Sequence, residues 1–153
     1  MIVGLWGDSF VSIPKALPTV PEFLAALPAD RQATVTAVHK AIRKAAPKLA
    51  PFIRTGMGPS PLIAYGSYRY RSGSGKEGEW FLVGLVPGKT AYSLHICVGG
   101  KEGYLVEQHA KELGKVKVGR TCINFKKLED LNLAAAMSLV KLGAKTGGIN
   151  AVL

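Results

Sequence analysis

The chain has 153 residues, 48% of them hydrophobic and 20% charged, the make-up of one globular domain with enough apolar side chain to bury a core. Disorder is not expected, and no apolar run approaches the roughly 18 residues that a membrane-spanning helix needs. Twenty Lys and Arg against ten Asp and Glu leave a net charge of +10, which attracts anions and acidic surfaces or simply keeps copies apart in solution.

Residues 1 to 18 alternate weakly, with Trp6, Phe10 and Ile13 set among Gly and Ser and closed by Pro14 and Pro18. This stretch reads as an extended arm whose aromatic residues are available to cover a sheet edge or a partner. Asp8 interrupts its apolar stretch and no basic residue precedes Lys15, so neither a secretory leader nor a membrane anchor is expected. A single domain is expected over 19 to 145. Thr19-Val-Pro-Glu22 has the form of a capping box, with Pro tolerated in the first turn, and predicts a short helix to about Leu27 that buries Phe23, Leu24 and Leu27. Asp30 is placed to cap a longer helix to about Ala46. Its apolar set Val35, Val38, Ile42 and Ala45 recurs at steps of three and four, with Lys40, Arg43 and Lys44 on the other side, and Pro47 and Pro51 prevent its continuation.

Phe52-Ile-Arg54, Gly56-Met-Gly-Pro59 and Leu62-Ile-Ala-Tyr65 read as strand, tight turn and strand. Further strands are predicted at Ser67 to Arg71, Trp80 to Val86, Tyr92 to Val98 and Thr121 to Phe125, with turns at Ser72-Gly-Ser-Gly75 and Pro87-Gly88. The first connections are too short for parallel crossovers, so the sheet must be mainly antiparallel. A helix is expected over about Gly103 to Leu113, ending at Gly114, and another from Asn132 to about Ala144 that buries Leu133, Ala136, Leu139 and Val140. Residues 146 to 153 read as a tail. The fold class is therefore α+β, a single domain with a mainly antiparallel sheet of about five or six strands and N- and C-terminal helices packed on one face.

Catalytic signatures are sparse. Gly56-Met-Gly58 and Gly73-Ser-Gly75 match neither a P-loop nor a dinucleotide fingerprint and sit where turns need positive φ. His95 and Cys97 share one face of a strand but spacing supplies no third metal ligand. Cys97 and Cys122 have no metal-ligand or redox-motif spacing and read as reduced, buried thiols of a cytoplasmic protein. Ser93 beside His95 is not a triad, and Glu77 and Glu79 fall in a water-exposed hairpin tip. What remains is Arg54, Tyr68, Arg69, Tyr70, Arg71, Arg120 and Lys126. On one strand Tyr68 and Tyr70 share a face and Arg69 and Arg71 the other. If the tyrosines face a cleft, they suit a flat or anionic ligand with Arg54 or Arg120 as a bidentate partner; otherwise the tyrosines are half-buried packing and the arginines are solvated.

The stretch Val20-Pro-Glu-Phe-Leu-Ala-Ala-Leu-Pro28, the turn Gly56-Met-Gly-Pro-Ser60, Ile63-Ala-Tyr-Gly-Ser-Tyr-Arg-Tyr70, Gly75-Lys-Glu-Gly-Glu-Trp-Phe81, Ser93-Leu-His-Ile96 and Gly119-Arg-Thr-Cys-Ile-Asn-Phe-Lys-Lys-Leu-Glu-Asp-Leu131 together resemble the YdhG-like domain family of unknown function. The resemblance covers roughly Thr19 to Leu142. It implies a compact α+β domain with terminal helices flanking an antiparallel sheet, and it supplies no catalytic residues to carry over. One branch of that family is described as a frataxin-like intracellular iron chaperone, which makes iron delivery an alternative. Iron favours grouped carboxylates and histidines, and here the carboxylates are scattered in a positive field.

The leading expectation is a small, basic, non-enzymatic binding domain for a small anionic ligand or an acidic protein partner, monomeric or homodimeric, with no cofactor or metal and no membrane association. Arg54, Tyr68, Tyr70, Arg120 and Lys126 are the expected ligand-binding residues. Non-specific nucleic-acid binding is a further alternative, less favoured because the basic face of the long predicted helix carries no interleaved aromatic or amide side chains.

Overall fold

The computed structural model describes residues 17–56, 58–100 and 103–146. The aromatic residues of the expected arm and the tail beyond residue 146 lie outside the described residues. Helix α1 (Val20–Ala25) begins with the expected capping box: the Thr19 N–H donates to Glu22 Oε1 at 2.8 Å and the Glu22 N–H to the Thr19 hydroxyl oxygen at 3.3 Å. Phe23 is buried and Leu24 and Leu27 pack partly against the core. Helix α2 (Ala29–Ala45) starts one residue earlier than its expected cap. Pro28 occupies the N-cap and makes no side-chain capping bond, while Asp30 lies inside the first turn, where its charge complements the helix dipole. Val35, Val38 and Ile42 are fully buried, each contributing about 1.5–3 kcal/mol of transfer free energy.

Strand β1 (Pro51–Gly56) turns into β2 (Gly58–Arg71), and β3 (Glu77–Pro87) returns along β2. Strands β4 (Tyr92–Ile96), β7 (Lys117–Val118) and β8 (Cys122–Phe125) complete a six-stranded sheet in the order β1-β2-β3-β4-β8-β7. Every pairing in it is antiparallel. Between β4 and β7, a two-stranded ribbon of β5 (Gly99–Gly100) and β6 (Gly103–Tyr104) leads into α3 (Leu105–Gln108). A 3-10 turn, Ala110–Glu112, follows. The continuous helix expected over Gly103 to Leu113 is thus two separate turns, because its first residues pair as a ribbon and the helix is interrupted at His109, whose N–H reaches back to the Val106 carbonyl. Gly114 does close it, at φ +99. A second 3-10 turn, Leu128–Asp130, leads from β8 to α4 (Leu133–Thr146), which Asn132 caps by accepting from the Ala135 N–H at 3.2 Å.

The main core lies between one sheet face and α2 and α4. Val35, Val38, Ile42, Ala136, Leu139 and Val140 meet Ile63, Tyr65, Val83, Leu85, Leu94, Ile96 and Ile123 there. Tyr65 is fully buried, and its hydroxyl meets His39 Nδ1 of α2 at 2.6 Å, so a core phenol keeps the partner that burial demands. The other sheet face carries a smaller cluster of Leu62, Ala64, Phe81 and Cys97.

Two strands expected as separate, Leu62 to Tyr65 and Ser67 to Arg71, are one continuous strand with Gly66 between them. Gly66 holds φ +69, and a Cβ there would lie 2.7 Å from Leu49 Cδ2. At this point the alternation of faces breaks: Leu82 and Val83, neighbours in β3, both enter the main core, while Phe81 joins the opposite cluster. Beyond Gly66, β2 leaves β1 and continues with β3 as a two-stranded arm, Ser67↔Phe81 to Arg71↔Glu77. Gly66→Ala is expected to destabilise the fold by at least about 1–2 kcal/mol from the left-handed backbone alone, with the Leu49 contact adding to it. Urea unfolding should show a lower midpoint with an unchanged slope.

Candidate functional site

The five expected ligand residues occupy three separate places. Arg54, on β1, lies over Trp80, its guanidinium carbon 4.7 Å from the indole centroid and 6.0 Å from the Phe81 ring. Its Nε is buried without a hydrogen-bond partner among the described residues, so the cation–π contacts carry much of its stabilisation. Tyr68 packs against the same Phe81 cluster and also against the main core. Tyr70 meets Tyr68 edge-on, with centroids 6.5 Å apart, and lies over Gly78, where a Cβ would be 2.6 Å from the Tyr70 hydroxyl. The two tyrosines therefore do share a face. Arg69 and Arg71 share the other, and both pair with Glu77, at 3.2 and 2.8 Å.

Arg120 stands apart, exposed, with its guanidinium carbon 5.9 Å from the Tyr104 ring. Lys126 follows β8, which lies three strand spacings from β2, on the order of 14 Å. Tyr68 and Tyr70 thus converge with neither Arg120 nor Lys126 across the sheet.

Lys126 instead joins a cleft of about 500 Å³ at the β7 edge of the sheet. Lys115, Lys117 and Lys126 line it with Thr90, Asn124 and a single carboxylate, Asp130, over an apolar base that includes Val116 and Phe125. Local chain geometry builds this cleft. Gly114, in the left-handed region, is pressed against the chain before α4: a Cβ would lie 2.3 Å from the Asp130 carbonyl oxygen. The Lys115 N–H donates to that carbonyl at 2.8 Å, and Gly114 and Leu131 form an isolated bridge. Phe125 stacks on Tyr92 at 5.4 Å, and the Arg31 guanidinium, bonded to the Lys89 carbonyl, covers the Tyr92 ring at 5.0 Å. The Asn124 side chain accepts from the Ser93 hydroxyl and donates to the Lys117 carbonyl at 3.4 Å, tying β4, β8 and β7 together beside the lysines. All three lysines are exposed and none has an ion pair among the described residues. Sequence reasoning named only Lys126 among them. The alternation Lys115-Val-Lys-Val118 after Gly114 was the available signal, since lysines mark a short edge strand.

On the sheet face that carries no helix among the described residues, Ser93 and His95 of β4 neighbour Asn124 and Cys122 of β8, with His95 directly opposite Cys122, while Cys97 falls just past β4, which ends at Ile96 rather than at the expected Val98. Two of these side chains are engaged by neighbours. The Ser93 hydroxyl is committed to Asn124, and His95 lies edge-on to Phe81 at 6.3 Å. Burial pushes the Cys97 thiol up to about 11, so it stays protonated near neutrality. Cys97 is buried as expected, while Cys122 is only half-buried. Among the described residues no three of His, Cys, Asp and Glu are grouped to hold a metal ion, and no helix is long and apolar enough to cross a membrane.

No protein-family model, no curated protein and no solved structure matches the chain.

His39 and His95 are both held below the ordinary histidine value of 6.5, chiefly by burial, with the Arg43 charge adding to the effect at His39. The unfolded chain therefore binds protons that the folded chain refuses. Stability should be level above neutrality and fall as pH drops through 6.5 towards the depressed folded values. Urea titrations across that range should show this slope, and the His39→Gln, His95→Gln double variant should flatten it even though its overall stability is lower.

Proposed function

We propose that this protein is a non-catalytic binding domain that holds a small multivalent anion, such as a phosphorylated metabolite or a nucleotide phosphate, in the cleft between β7, β8 and the β3–β4 turn. The observation that carries the reading is the lining itself: three unpaired lysines against one carboxylate, around an apolar base, in a chain of net charge +10. Ammonium groups on flexible stems act as point charges that adapt to several phosphate geometries. Thr90 and Asn124 add neutral polar groups at the wall. Because the lysines are exposed, their attraction is screened by salt and the affinity is moderate.

The absence of a convergent nucleophile and base among the described residues supports binding without turnover. Iron delivery rests on the motif resemblance alone, and no grouping of donors among the described residues favours it. The neutral base of the cleft also favours a small ligand over an extended polyanion, whose backbone would follow a groove of charge.

Calorimetric titration with pyrophosphate and with ATP, at low and at physiological ionic strength, tests the proposal. Saturable binding is expected, weaker in salt and reduced at least about tenfold in Lys115→Ala, Lys126→Ala, equivalent to the loss of charge-assisted contacts. Absence of heat and of thermal stabilisation by either anion would overturn it, as would binding indifferent to that double variant.

A further inference from the structure

A second basic surface lies on the outer side of the helical layer. Between α2 and α4 runs a trough of about 380 Å³. Met137 at its base is buried, Ala41, Ala45 and Leu133 are half-buried, and Lys44 and Lys141 stand exposed along it. The lysines continue as ridges. Lys40 lies one turn before Lys44 on α2, and Lys145 one turn after Lys141 on α4, all exposed and none in an ion pair among the described residues. Helix α4 contains no acidic residue, and α2 has only Asp30, in the first turn at the opposite end from Lys44.

We propose that this trough is the docking site for an acidic amphipathic helix of a partner protein. Its apolar side chains, recurring at i, i+3 or i+4 and i+7, would seat over Met137 and the alanines, and flanking carboxylates would engage Lys44 and Lys141. Two features select that occupant. The small side chains at the walls let a third helix approach closely, and a trough between packed helices accepts a helix ridge. The uncompensated lysines on both sides demand negative charge flanking the apolar stripe. A second copy of the chain would bring the same lysines and be repelled. Nucleic-acid phosphates would reach the lysines but leave the apolar base unfilled. A bilayer surface would meet the lysines first, since the apolar groups are recessed between them rather than projecting.

The probe is a synthetic helical peptide with leucines at the stated spacing and glutamates flanking them, labelled for fluorescence anisotropy and used for amide shift mapping on the full chain. Saturable binding is expected, with shifts centred on Ala41, Ala45 and Met137. Replacing the glutamates with lysine, or the leucines with serine, should abolish it. Lys44→Glu, Lys141→Glu should weaken binding at least about tenfold, and Ala134→Trp, at an exposed position lining the trough, should block it without changing charge. Lys115→Ala, Lys126→Ala should leave it unaffected, which separates this surface from the anion cleft. The proposal is overturned if the folded protein does not bind the peptide, if the serine peptide binds equally well, or if neither trough variant alters binding. It is also overturned if phosphatidylserine vesicles or duplex DNA, rather than the peptide, are the species whose binding the trough variants abolish.

Discussion

The domain depends on one face of its sheet being covered by two helices, while the other carries no helix among the described residues. Burying Val35, Val38 and Ile42 of α2 and Ala136, Leu139 and Val140 of α4 against Ile63, Val83, Leu94 and Ile96 sets the rotation of both helices about their axes. Once those stripes point inward, Lys40, Lys44, Lys141 and Lys145 have nowhere to go but outward. The positive exterior of the helical layer is thus a by-product of core packing as much as an independent design. The same burial requires a partner for the Tyr65 hydroxyl, and His39, one turn from Val35 and next to Val38 on α2, is placed to meet it.

The opposite face solves a different problem. Near Leu82, opposite Gly66, β3 reverses its facing, so that Leu82 serves the helical core while Phe81 turns to the other side. Trp80 stacks on Phe81 with rings 4.9 Å apart, and Arg54 lies across both. An arginine that looks like a ligand anchor in sequence is here a lid on an aromatic pair. Its planar, weakly hydrated guanidinium suits that role where a lysine would not.

Among the described residues, unpaired lysines line a hollow in two places. One is the cleft at the β7 edge, whose recessed apolar base and three lysines suit a compact anion. The other is the trough between α2 and α4, whose longer lysine ridges and small-residue walls suit a helix. They lie on different elements, so a ligand in one does not compete sterically for the residues of the other. Arg69 and Arg71 belong to neither, since Glu77 engages both.

Local sequence determined most of the elements. The Thr19 to Glu22 box, the three-and-four spacing of Val35, Val38 and Ile42, the glycine stop at Gly114 and the short connections that force antiparallel pairing are all encoded within a few residues, where backbone sterics and hydrogen bonding act directly. Short range also explains the failures. Asp30 has capping chemistry, yet the helix begins at Ala29 and leaves it inside the first turn; residues 103 and 104 look helical until Gly99 and Gly100 pair with them. Which charged residues meet was decided only by tertiary structure. Arg54, Tyr68, Arg120 and Lys126 are alike in sequence as polar residues near strands, but strand order places β3 and β4 between β2 and β8 and so divides them. Lys117 and Lys126 come to one cleft through the β7–β8 pairing, and Lys115 joins them where Gly114 presses against the chain at Asp130. Contacts between residues distant in the chain depend on how whole elements stack, and no local pattern carries that information.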